Sequence, residues 1–172
     1  MNYLKTIAEL MAVAARTAPK GAGQDFIKIE IVEGGTLTRL ADAMLAYGTK
    51  TGKKNFDRDG ANIKKSDALV LIGLKDPKTV GLNCGACGYD QCSQLPQAKS
   101  GPEFKGPHCA YRLMDLGIAL GSAVKTAGLL NADNRIMYRV GVIARQMKLI
   151  DADVVIGIPL SATGKNIYFD RQ

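Results

Sequence analysis

Apolar residues recur every three or four positions from Thr6 to Ala18, at Ile7, Leu10, Met11, Ala14, Ala15 and Ala18. This spacing predicts an amphipathic helix, which Pro19 and Gly21 stop. From Phe26 to Val32 the period drops to two, with Ile27, Ile29 and Ile31 on one side and Lys28 and Glu30 on the other. That is the pattern of a strand with one wet face. Gly34-Gly35 breaks it, and Thr36 can cap a second helix that carries Leu37, Leu40, Ala41, Met44 and Leu45 and ends near Gly48. Residues 49–65 are polar and read as a loop.

Ala68 to Leu74 is a continuous apolar run, the expectation for a central strand covered on both faces. Residues 81–109 carry Gly and Pro throughout with no sustained period, and read as a loop-rich insert. A helix rich in small residues follows, from Tyr111 to Leu130, with Gly117, Gly121, Ser122, Ala123, Ala127 and Gly128. Small residues at that spacing let helix backbones approach closely, either in the core or between two copies of the chain. Asp133 or Asn134 can cap a further helix that lines Ile136, Val140, Ile143, Ala144 and Met147 along one face. Asp153 to Leu160 closes the chain with a strand ended by Pro159. The order helix, strand, helix, strand, insert, helix, helix, strand predicts an α/β (α+β) fold, a small sheet with helices packed against it. A single domain spanning 1–172, with the 81–109 insert inside it, is the simplest division.

At 172 residues, 47% hydrophobic and 23% charged, the chain has the composition of one globular domain and not of a disordered one. Its longest apolar run, Ala68 to Leu74, is far short of the roughly 20 residues of a membrane-spanning helix. Leu10 to Ala15 is bracketed by Glu9 and Arg16, too short for the roughly 7–15 residues of a secretory core. The expectation is a cytoplasmic protein with no membrane partner and with its thiols kept reduced. The net charge is +7, and residues 50–82 hold eight Lys/Arg against four acids. Phe56 is the one aromatic in the basic stretch 50–65, so the excess reads as a solvated face, with no nucleic acid partner expected.

The cysteines change the picture most. Cys84, Cys87, Cys92 and Cys109 follow C-x2-C-x4-C-x16-C, and every cysteine of the chain lies in these 26 residues. Four thiolates are the number that ligates one 4Fe–4S cluster or one tetrahedral zinc. Structural zinc usually takes two C-x2-C pairs, whereas here three clustered cysteines have one distant partner, which suits a cubane better. Gly85 and Gly88 free the backbone to turn and to offer N–H groups to sulfur. His108, the one histidine, stands beside Cys109 and reads as a loop neighbour and not as a fifth ligand.

The run C-G-A-C-G-Y-D-Q-C with its distant cysteine resembles the 4Fe–4S module of corrinoid iron–sulfur proteins and related electron-transfer subunits. The whole chain resembles the ferredoxin domain-containing proteins of anaerobic bacteria and archaea. That likeness rests on A-A-R-T-A-P-K-G (14–21), the cysteine block, D-L-G-I-A-L-G-S-A-V (115–124), D-N-R-I-M-Y-R-V-G (133–141) and G-I-P-L-S-A-T-G-K-N-I-Y-F-D-R (157–171). It implies a cluster held by Cys84, Cys87, Cys92 and Cys109. A second likeness lies beneath it. The Ala18-Pro19 turn after a helix, the Asp115 helix and the late V-V-I-G-I-P strand are similar to the FMN-dependent nitroreductases. That resemblance implies a nitroreductase-like fold, a homodimer and FMN at its interface, with Lys20, Lys165 and Arg171 as cations able to hold the phosphate. Two features depart from it: no Arg-x-Ser-x-Arg clamp precedes Thr6, and the chain stops soon after Lys165.

Three functions follow as expectations. The first is a redox protein whose 4Fe–4S cluster passes single electrons to a partner protein, with Lys99, Lys105 and Arg112 raising the potential and guiding an acidic partner. The second is an FMN-dependent, nitroreductase-like oxidoreductase, for which no G-x-G-x-x-G nicotinamide fingerprint is visible. The third is a structural module in which zinc staples the insert and the domain binds a partner.

Overall fold

Seven consecutive apolar residues cannot face water on either side, and the strand that Ala68–Leu74 forms is buried along its whole length. The computed structural model describes residues 3–169. Along the chain come α1 (Tyr3–Thr17), β1 (Ile27–Glu33), α2 (Gly35–Thr51), α3 (Phe56–Lys64) and β2 (Ala68–Leu74). The two-residue strands β3 (Lys99–Ser100) and β4 (Lys105–Gly106) follow, then α4 (Ala110–Leu129), β5 (Asp133–Asn134), α5 (Tyr138–Gln146) and β6 (Val154–Ser161). Four strands make one antiparallel sheet in the order β1-β2-β6-β5. Among the described residues no helix is long and apolar enough to cross a membrane.

The sheet divides two cores. Ala68, Val70, Ile72 and Leu74 of β2 turn toward α1 and α4, and Leu69 and Leu71 turn toward α2, α3 and α5. The period of two in the strand therefore sorts one apolar run into both layers. On the first face the small side chains Ala8 and Ala15 of α1 and Ala119, Ala123 and Ala127 of α4 share one cluster. The glycines of α4 behave differently: added Cβ atoms at Gly117, Gly121 and Gly128 would meet nothing within 4 Å. Close helix approach is thus the work of the alanines, and the glycine side of α4 is open.

Three elements depart from the sequence pattern for identifiable reasons. The stretch read as a loop is mostly helical: α2 runs on to Thr51, Gly52 caps it at φ 69°, and α3 follows. Phe56 and Ile63 are the only large apolar residues that α3 buries, so no periodicity announces it. It is held instead by tertiary bonds, with the buried Asp59 carboxylate accepting from Arg58 at 2.9 Å and from Arg139 of α5 at 3.1 Å. Asp133 and Asn134 form β5 and cap no helix, and α5 begins only at Tyr138.

Pro159 lies inside β6 rather than ending it. The pairs Asp133–Ser161, Asn134–Leu160 and Met137–Gly157 share one register, which sets Arg135 opposite Pro159. Met137 and Gly157 exchange both backbone hydrogen bonds, at 2.8 and 3.1 Å. Pro159, two residues on, turns the same edge outward but has no N–H to give, so the ladder lapses there.

Helix α5 rests almost on the backbone of β6. A Cβ built on Gly141 would stand 1.7 Å from the Val155 carbonyl oxygen, so any side chain there must push helix and strand apart. We expect Gly141→Ala to cost about 3 kcal/mol or more in urea unfolding, at the upper end of overpacking. Gly117→Ala, in the open and helical, should stabilise by about 0.5–1 kcal/mol in the same measurement. Equal effects of the two would contradict this packing.

Candidate functional site

After β2 the chain leaves the sheet at Lys75 and reaches the next long element, α4, only after Cys109. Within this insert Asn83, Gly85 and Gly88 adopt φ of 48°, 72° and 88°, and the Gly88 N–H donates to the Gly85 carbonyl at 2.8 Å. Left-handed backbone at those two glycines is what lets the C-G-A-C-G segment turn on itself. The loop is closed across its base by two reciprocal bonds. Cys92 N–H donates to Asn83 Oδ1 at 2.8 Å, and Asn83 N–H donates to Cys92 Sγ at 3.4 Å.

Cys84 is exposed, Cys87 and Cys92 are partly covered, and Cys109 is buried; all four are free thiols. Cys109 stands at the N-cap of α4, where its carbonyl accepts from the N–H groups of Arg112 and Leu113 at 3.0 and 3.2 Å. The structure thus puts three cysteines on one tight loop and the fourth on a rigid cap. Among the described residues, no three His, Cys, Asp or Glu side chains are gathered closely enough to hold one metal ion. The donor set nevertheless fits an iron–sulfur cluster in number and kind. Cys92 Sγ already accepts a backbone N–H, the type of bond that tunes cluster sulfur.

The cap is fixed by a buried ion pair. Arg112, one turn into α4, is fully buried, and its Nη1 lies 3.1 Å from Asp115 Oδ2. The same guanidinium donates to the carbonyls of Gly21 and Lys78 at 2.8 Å each and to Gln24 Oε1 at 2.6 Å, and it lies over the Phe26 ring. Asp115 Oδ1 accepts the Gly21 N–H at 2.8 Å. The Ala18-Pro19 turn, the segment leaving β2 and the first turn of α4 therefore meet on one pair of side chains. This corrects the expectation that Arg112 guides a partner, because a residue with no exposed surface presents no charge to one. Lys105 is likewise committed, 2.9 Å from Asp153 Oδ1, while Lys99 stays exposed on β3.

Of the cations expected at a phosphate, the structure describes Lys20 and Lys165. Lys20 Nζ donates to the carbonyls of Ala15, Arg16 and Ala18 at 2.7–3.2 Å and so finishes the C-terminus of α1. Lys165 lies on the exposed turn after β6, where Thr163 Oγ1 donates to its carbonyl. Arg171 lies outside the described residues.

The insert is also tied to the far helical layer through a residue that sequence reasoning missed. Glu103 accepts from Tyr138 of α5 at 2.7 Å, from Lys53 at 2.5 Å and from Tyr47 of α2 at 3.3 Å. Burial pushes the Glu103 carboxyl up, but the Lys53 bond, then those of Tyr138 and Tyr47, outweigh it and hold it below the usual glutamate range. Asp153 was missed too. It is buried before β6, and its Oδ2 accepts the Asp76 N–H at 2.8 Å. Neither carboxylate sits in a motif; Asp153 stands beside the apolar run V-V-I-G-I, and Glu103 has no such signal.

Residues 105–171 match the family described as uncharacterized proteins containing a ferredoxin domain. Over 169 residues the chain is 50% identical to an uncharacterized protein of Archaeoglobus fulgidus, covering 98% of this chain and 91% of that one. Among solved structures it is similar to a nitroreductase with bound FMN from Desulfitobacterium hafniense, with a TM-score of 0.60 and 12% identity over 93% of this chain and 78% of that one. It is also similar to a nitroreductase from Lactococcus lactis in complex with chloramphenicol, at a TM-score of 0.60 and 15% identity over 96% and 84% of the two chains. The fold is nitroreductase-like.

Two measurements check this arrangement. Arg112→Met leaves the Asp115 carboxylate buried without its partner and should cost about 3–5 kcal/mol in urea unfolding. The double variant with Asp115→Leu should recover part of that loss, and a double variant no better than the single one contradicts the pairing. Glu103 is depressed in the folded state, so its contribution is complete above about 4.5, the ordinary glutamate value, and is lost as pH falls through its lower folded value. Between about pH 6 and pH 3, Glu103→Gln should therefore lose less stability than the unaltered protein.

Proposed function

We propose that this chain, which belongs to the family of uncharacterized proteins containing a ferredoxin domain, is a cytoplasmic iron–sulfur protein. In this reading Cys84, Cys87, Cys92 and Cys109 hold one 4Fe–4S cluster on a nitroreductase-like frame, and a redox partner protein exchanges electrons with it. The observation that carries it is the division of labour among the four thiols. Three lie on a loop closed by the Asn83–Cys92 bonds, and the fourth caps the helix that Arg112 and Asp115 anchor. When bound, such a cluster takes up and releases one electron at a time.

The chain's own residues do the rest. Cys109 is fixed at the N-cap of α4, and the Asn83 N–H donates to Cys92 Sγ. Gly85 and Gly88 supply the turns that keep Cys84 and Cys87 at adjacent corners of one loop. Glu103, bound to α2 and α5, holds the strand pair that follows the loop. A homodimer belongs to the same reading, and α4 exposes Leu113, Met114 and Ile118 beside its open glycines.

A flavin oxidoreductase is the second reading, favoured by the fold shared with a nitroreductase that has FMN bound. Protein expressed and purified without oxygen separates the two. The iron–sulfur reading expects about four irons and four sulfides per chain and a shoulder near about 400 nm that dithionite bleaches. It also expects most of the iron to be lost in Cys109→Ser. Maxima near about 370 and 450 nm without iron would move the assignment to the flavin. A colourless protein with one zinc per chain would overturn it in favour of a structural module.

A further inference from the structure

Beside Cys109 lies a cavity of about 500 Å³ whose other wall residues neither reading uses. Its walls come from four separate segments: the chain leaving β2 (Lys78), the turn after the cysteine loop (Pro96), the approach to α4 (Pro107, His108, Cys109) and the residue before β6 (Asp153). Prolines at 77, 96 and 107 give it stiff apolar sides. It is large enough for an organic molecule of modest size.

The polar groups in its wall are incompletely used. His108 Nε2 is buried and has no hydrogen-bond partner. Asp153 is buried too, and its Oδ1, 2.9 Å from the Lys105 ammonium, can accept one further donor from the cavity. A buried polar atom without a partner costs about 1–3 kcal/mol, so His108 Nε2 calls for an occupant. The charges give its sign. Lys105 offsets Asp153, and Asp76, 3.2 Å from Lys75, shares that lysine with Asp151 outside the wall. The exposed Lys78 ammonium makes no hydrogen bond or ion pair among the described residues, and it is the unpaired cation of the wall.

We propose that this cavity binds a small organic acid: a carboxylate for Lys78, a hydroxyl or amine that donates to Asp153 Oδ1 and meets His108 Nε2, and an apolar body between the prolines. The site goes beyond the iron–sulfur reading and stands without it. Under that reading, its wall contains a ligand of the cluster, so the acid would lie within electron-transfer reach of it.

Mandelate carries all three parts and serves as the probe, with phenylacetate lacking the hydroxyl and mandelamide lacking the charge. Binding is read by calorimetry on iron-loaded and iron-free protein. In the iron-free protein it is also read from the ring protons of His108, the chain's one histidine. The expected result is saturable mandelate binding, about tenfold weaker for each analogue, with His108 signals moving on titration. Lys78→Met should remove the preference for mandelate over mandelamide and leave folding intact, because that side chain is exposed. Three equal affinities, no binding, or an unchanged Lys78→Met overturns the proposal. Binding that vanishes on iron loading overturns it as well, because the cluster would then fill the cavity. Iron content is measured separately, so loss of the iron–sulfur reading leaves this result interpretable.

Discussion

The Arg112–Asp115 pair is the constraint on which the site depends. Taking two charges out of water is unfavourable by several kcal/mol per ion, and only a full set of bonds offsets it. Here the set is nearly complete: the guanidinium has two carbonyls, an amide oxygen, a carboxylate and a ring face, and the carboxylate also has the Gly21 N–H. Three chain segments far apart in sequence must each be in place for the pair to be tolerated. The pair therefore specifies geometry more than it adds stability, and what it specifies includes the position of Cys109 three residues upstream.

Against that fixed cap, the other three cysteines sit on a loop with few tertiary anchors of its own. Its internal order comes from short-range bonds, Asn83 to Cys92 and Gly85 to Gly88, and from the left-handed residues that permit them. This is the arrangement expected where metal binding supplies the remaining organisation. Farther along, the insert becomes rigid again at Glu103 and at the Lys105–Asp153 pair, one reaching the far helical layer and the other the sheet.

Elements whose burial follows a simple period were legible in the sequence. The alternation in β1, the unbroken apolar run of β2 and the existence of α1 and α2 follow the pattern, because one-sided or two-sided burial is what the pattern encodes. The faces are less exact: α1 buries Leu4, Ala8, Met11 and Ala15, while Leu10, and Leu45 of α2, stay exposed. What was not legible depends on partners distant in sequence. Helix α3 is held by Asp59 and Arg139, 80 residues apart. Likewise β5 is cut to two residues by a proline on the neighbouring strand. For the site, the cysteine spacing was plain, whereas Arg112 looked like one more surface cation. Its burial is decided by Asp115, Gly21 and Lys78 together, and no local window contains all three.

The insert also falls at a particular place in the topology. Everything before it, α1 through β2, and everything after it, α4 through β6, contributes helices to both faces of the sheet, and β2 pairs with β6 at the sheet's centre. The protein is thus two interleaved halves joined by a tether that carries the cysteines. A protease that nicks the loop between Cys84 and Cys92 would cut a connection, not a core. The halves would stay locked by the central ladder and by Arg112, which holds Gly21 and Lys78 of the first half from a helix of the second.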